Sequence, residues 1–181
     1  MKKINIKAFI LWGILIMFLL GGLFHFVYDI TGNQFVLGLL FPVNESIFEH
    51  IKIAALPVLI YWSIGYYIKK EEINANVWFT SALISMLIAS LLVPMFYYFY
   101  TETFGIENMI VDISLLLIGF AISQTIALHY YNHGKGINAK LAVVIMIAVI
   151  VLFGFWTVSP PELPIFKEAS SGTYGIFSET F

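Results

Sequence analysis

Five long apolar runs decide what this chain can become. They cover about residues 8–28, 45–68, 77–100, 106–131 and 141–158. A helix needs roughly 20 apolar residues to cross the hydrocarbon core of a bilayer, and each run is about that long. Composition agrees. Hydrophobic residues make up 60% of the chain and charged residues 11%, where soluble domains carry roughly 25% charged. The expected fold is an all-α, polytopic transmembrane bundle of five spans. No polar segment is long enough for a second domain, so residues 1–181 form one integral membrane domain.

The segments between the runs refine this. The first run exceeds the apolar core of a signal peptide and no Ala-x-Ala site follows, so it is expected to be retained as a span. Thr31, Gly32 and Asn33 make a turn. Residues 34–43 are apolar but too short to cross, which predicts an interfacial or re-entrant segment ended by Pro42. Asn44 is the expected N-cap of the second span, and Pro57 is expected to kink it. The run Lys69-Lys70-Glu71-Glu72 reads as a solvated loop. Tyr97, Tyr98 and Tyr100 read as an interfacial aromatic group. His129 and His133 are expected to face solvent beside Lys135 and Lys140. The tail, 159–181, starts with a proline-stiffened run, Pro160 to Phe166. Its apolar residues Leu163, Ile165, Phe166, Tyr174 and Ile176 predict that it folds back as an ordered cap; the alternative is a free terminus.

Charge orients the bundle. Lys2, Lys3, Lys7, Lys69, Lys70, Lys135 and Lys140 fall at one set of span ends. The positive-inside rule makes that side cytoplasmic. The N-terminus is then cytoplasmic and the tail extracytoplasmic. Asp29, Glu45, Glu49, Glu102, Glu107, Asp112, Glu162, Glu168 and Glu179 gather at the outer side. With no cysteine in the chain, disulfides, thiol catalysis and cysteine zinc sites are excluded. There is no arginine and no basic patch, so nucleic acid is not an expected partner. The lipid bilayer is.

The chemistry concentrates in Pro42–Lys52. Ionisable groups in a membrane span mark a functional site by default. On a continuous helix Glu45, Glu49 and Lys52 share one stripe, at i, i+4 and i+7, with Ser46 and His50 on a neighbouring stripe. Glu49 and Lys52 are the expected ion pair. His25 and Asp29 end the first span, and Asp112 lies inside the fourth. Glu49, His50 and Lys52 are therefore candidate catalytic residues. Asn44, Glu45 and Asp29 are candidate ligand-binding residues for a small ligand or lipid headgroup. His25, Glu49, His50 and Asp112 are a candidate metal set, whose N/O donors suit zinc, iron or manganese. The spacing matches no established metal motif. The bland alternatives are solvated carboxylates at Asp29 and Glu45, a structural Glu49–Lys52 pair and a packing role for His25.

Pro42-Val43-Asn44-Glu45-Ser46-Ile47-Phe48-Glu49-His50-Ile51-Lys52, with the Pro160–Phe166 run and Gly172-Thr173-Tyr174-Gly175, resembles a family of small bacterial membrane proteins of uncharacterised function. The resemblance implies the bacterial cytoplasmic membrane and no known activity. By analogy alone the chain is also similar to ceramidase-like membrane hydrolases, which use His and Asp with zinc on a helical bundle. Those have more spans and a His-x-x-x-His pair that this outer cluster lacks. Two functions follow: binding of a small ligand, ion or partner at an outward polar site, or metal-dependent hydrolysis of a lipid or lipid-linked substrate.

Overall fold

The computed structural model describes residues 5–176, so Lys2, Lys3 and Glu179 lie outside the described residues. Five helices are long and apolar enough to cross a membrane: α1 (Ile6–His25), α4 (Ile47–Lys69), α5 (Ala75–Phe104), α6 (Met109–His133) and α7 (Ala139–Val158). Two single-turn helices, α2 (Val27–Ile30) and α3 (Phe35–Gly38), lie between α1 and α4. A 3-10 turn, Pro164–Phe166, follows α7. The all-helical, five-span expectation holds, and no strand occurs among the described residues.

Each long helix starts at a polar cap whose side chain accepts from a free backbone N–H: Asn5, Ser46, Asn74, Asn108 and Asn138. Such caps are worth about 1 kcal/mol each. The second span is capped by Ser46, with Oγ accepting from Glu49 N at 3.3 Å, and not by Asn44 as expected. Asn44 instead accepts from Ser46 N and donates to Gly175 O. Its preference for turns is met one step outside the helix.

Helix α4 is the most buried of the five. It packs on α1 and α5, while α6 leans on α1 and α5 and α7 on α5 and α4. Lipid gives helices no hydrophobic reason to associate, so close packing has to hold them. Gly21 of α1 illustrates this, since a Cβ there would sit 2.8 Å from Ile53 O of α4. At the centre Trp78 Nε1 donates to Trp62 O at 2.9 Å, and buried Gln124 bonds Ser85. Outward the helices present Trp12, Leu19, Val151 and Phe155, each at least 60% exposed. Such a belt would be a liability in water and suits acyl chains.

Residues 34–43 do not cross; they form α3 and a folded segment packed beside α4 and α7. The tail folds back as expected. Phe166 is buried against Phe48 and Trp156, Lys167 pairs with Tyr174 in an isolated bridge, and Ile176 N donates to Thr157 O. Gly175 has φ +61°, and a Cβ there would collide with Thr157 O. Two local expectations hold except at one residue each, since Lys70, Glu71 and Glu72 are exposed and Tyr97 and Tyr98 half-buried. Lys69 is buried and pairs with Glu72 at 3.7 Å, not solvated. Tyr100 is buried and donates to Asp112 at 2.6 Å, so it is not part of an interfacial belt.

Candidate functional site

The site lies where α1 ends and α4 begins. The Ser46 cap is extended (φ −70°, ψ 151°), so Glu45 is not in helical register with Glu49. The stripe expected from i, i+4 and i+7 splits in two as a result. Glu49 and Lys52 turn into the bundle, and Glu45 turns towards two imidazoles.

The inward half is a closed network. Lys52 Nζ stands 2.7 Å from Glu49 Oε2, and both side chains are 2% exposed. Glu49 also accepts from Val43 N (3.1 Å) and Thr157 Oγ1 (2.9 Å). Lys52 donates to Gly38 O (2.8 Å) and Phe41 O (3.2 Å). Buried charges persist only when paired and hydrogen-bonded. Here the pair ties the 38–43 segment and α7 to α4.

The outward half is open. His25 Nε2 lies 3.5 Å from Glu45 Oε1, and His50 Nε2 lies 3.4 Å from Glu45 Oε2. The two imidazole rings are 5.3 Å apart. One donor atom from each of the three residues can be chosen so that all lie within 4.8 Å of one another. Two donors bound at about 2.1 Å to a tetrahedral ion stand about 3.4 Å apart, so the two N–O separations match such edges. His50 Nδ1 is 2.9 Å from Ser46 O. A carbonyl only accepts, so Nδ1 carries the proton. Nε2 is left facing the Glu45 carboxylate: protonated, the ring donates to it as an imidazolium; neutral, the ring offers its Nε2 lone pair to a cation shared with Glu45. A backbone partner on the far ring nitrogen is the usual support of a metal-bound histidine. His25 Nδ1 is buried without a hydrogen-bond partner. The facing His50 imidazole, with His25 next, holds the Glu45 carboxyl below the usual carboxylate range, against partial burial, which pushes it up.

The four residues of the expected metal set do not meet as one group. His25 and His50 converge, Glu49 is committed to Lys52, and Asp112 is bonded to Tyr100. Glu45 stands where Glu49 was expected. Asp29 is exposed, one turn beyond His25. Asn44 braces the chain on either side of Glu45. The tail contributes too: Glu168 Oε1 accepts from Glu45 N at 3.4 Å. Nothing in the sequence pattern of 168 announced that role. His129 and His133 are exposed and stacked on each other, remote in sequence and at the other end of α6.

Two open grooves share the wall of Tyr97 and Tyr98, and the first reaches Glu45. One, of about 200 Å³, is lined by Glu45, Ile47, Tyr97, Tyr98, Pro164 and Lys167. The other, of about 370 Å³, shares Tyr97 and Tyr98 and adds Glu102 and Glu107.

Residues 1–176 match a family of unknown function, DUF6512. The chain belongs to that family. The match spans every described helix and both halves of the site, and it carries no activity with it. No curated protein and no solved structure matches the chain.

Proposed function

We propose that the protein works through a divalent transition-metal ion held by His25, Glu45 and His50 at the acidic end of the bundle. Three protein ligands leave coordination positions open to water or a ligand, as binding and catalytic metal sites require. The convergence of two imidazole nitrogens on one carboxylate, with the His50 tautomer fixed by Ser46 O, carries this reading. Zinc suits the donors best; manganese or iron would draw on more carboxylate. Asp29 and Asp112 act from outside the ligand set, Asn44 fixes the approach of Glu45, and Glu49 with Lys52 holds the segment that delivers it. The protein belongs in the bacterial cytoplasmic membrane, with this end outward, because the loop lysines Lys69, Lys70, Lys135 and Lys140 gather at the other.

The primary role is binding of a small ligand, ion or partner group at the metal. The cavity at Glu45 favours a second reading, hydrolysis of a lipid or lipid-linked substrate. A metal lowers the pKa of bound water to about 7. A hydrolase would draw on that activated water to displace an alcohol from an ester, with Asp112 the candidate group to take the water's proton and return it to the departing alcohol. The deciding experiment is elemental mass spectrometry of detergent-purified protein beside a His25→Ala, His50→Ala variant. About one metal ion per chain, lost in a variant that keeps its helical circular dichroism, is expected. Folded wild-type protein that takes up no zinc, manganese or iron would sink the proposal.

A further inference from the structure

The two grooves differ in charge: the first balances one carboxylate against one lysine, and the second carries two carboxylates. The first joins Glu45 to Lys167, and with a divalent ion on Glu45 it becomes cationic. The second carries Glu102 and Glu107 and is anionic. Tyr97 and Tyr98 form the wall they share, and Tyr97 Oη donates to Glu107 Oε1 at 2.7 Å. Tyrosine rings beside carboxylates suit an organic ammonium through cation–π attraction. Ile47 and Pro164 line the cationic side with apolar surface. On α5, Met95 (49% exposed) and Phe99 (66% exposed) present apolar surface to the surroundings.

Resting on the metal reading, we propose that the ligand is the zwitterionic headgroup of an aminophospholipid. Its phosphate lies between the metal and Lys167, and its ammonium lies among Glu102, Glu107 and the rings of Tyr97 and Tyr98. Its acyl chains follow the exposed face of α5 into the bilayer. The charge pattern discriminates as well as attracts. A purely anionic headgroup places nothing favourable against Glu102 and Glu107, and a simple cation leaves Lys167 facing like charge. Span ends bearing tyrosines are also where headgroups lie.

The test titrates zinc-loaded protein in detergent with short-chain phosphatidylethanolamine, short-chain phosphatidylglycerol and inorganic phosphate, followed by calorimetry. Phosphatidylethanolamine should bind about two- to five-fold tighter than phosphatidylglycerol, the range exposed charge pairs supply. Phosphate should bind weakest. Glu102→Gln with Glu107→Gln should abolish the preference between the two lipids and leave zinc content unchanged. Lys167→Ala should weaken both lipids. Equal affinity for the two lipids, or phosphate binding as tightly as phosphatidylethanolamine, in zinc-loaded protein overturns the headgroup proposal and leaves the metal site standing. Failure to load zinc overturns the metal reading by itself. A phosphatidylethanolamine preference that persists in that sample and depends on Glu102 and Glu107 supports the headgroup site without it.

Discussion

Glu49 and Lys52 are the costliest residues to place in this membrane domain, and their cost explains what they do. Removing one partner of a buried pair leaves an uncompensated charge and costs about 3–5 kcal/mol, whereas replacing both is often near neutral. Lys52→Met should therefore lower stability by about that amount in detergent unfolding by SDS. Glu49→Gln combined with Lys52→Met should recover much of the loss. No recovery would mean that the pair is not coupled through charge. Glu45 behaves differently because it is exposed. Its folded carboxyl lies below the usual range, so the stability it adds is full above that range and falls away as pH drops through the lower, folded value. Bound metal should leave earlier, since imidazoles titrate near about 6.5 and must be neutral to ligate. Zinc retained at pH 8 should be released by about pH 5 in equilibrium dialysis, with the helices intact. The sequence announces the Glu49–Lys52 pair, because i, i+3 spacing on one helix suffices. It does not announce Glu45 with His25, which depends on an extended Ser46 and on how α1 meets α4.

At the scale of elements, the spans were legible because hydropathy and length decide them, and their ends moved by only a few residues. Caps were partly legible: Asn or Ser precedes every long helix, but Asn44 and Ser46 competed for one helix and only packing chose between them. The tail was legible in outline from its prolines and apolar anchors. Its partners were not, since Phe48 lies far away in sequence and Trp156 meets Phe166 only once the chain has doubled back. Phe166 is the tail's main anchor, 6% exposed between those two rings. Phe166→Ala should cost the tail's docking about 3–5 kcal/mol. Limited proteolysis should then cut within 159–176 faster than in wild type, while the five long helices keep their circular dichroism. Because Glu168 reaches Glu45 N from this tail, the same variant should bind metal more weakly. Unchanged cleavage would show that the bridge to Tyr174 and the Asn44 contact hold the tail without Phe166.

For the whole molecule, the asymmetry of charge predicts a direction on which hydropathy is silent. The end bearing the site carries Asp29, Glu45, Glu102, Glu107, Asp112, Glu162 and Glu168, whereas Lys7, Lys69, Lys70, Lys135 and Lys140 occupy the opposite end. Orientation follows lysines in short loops and depends little on acids. The turns at 70–74 and 134–138 are short enough for the rule to act. With an odd number of spans the tail must lie across the membrane from the start of α1. The absence of cysteine makes every introduced cysteine a unique reporter. Ser171→Cys, in the exposed tail, should react with a membrane-impermeant maleimide on intact cells. Asn132→Cys, exposed at the lysine-bearing end of α6, should react only after permeabilisation. The reverse pattern would turn the His25–Glu45–His50 cluster towards the cytoplasm. Its metal would then come from the cytoplasmic pool, and the lipids within reach would be those of the inner leaflet.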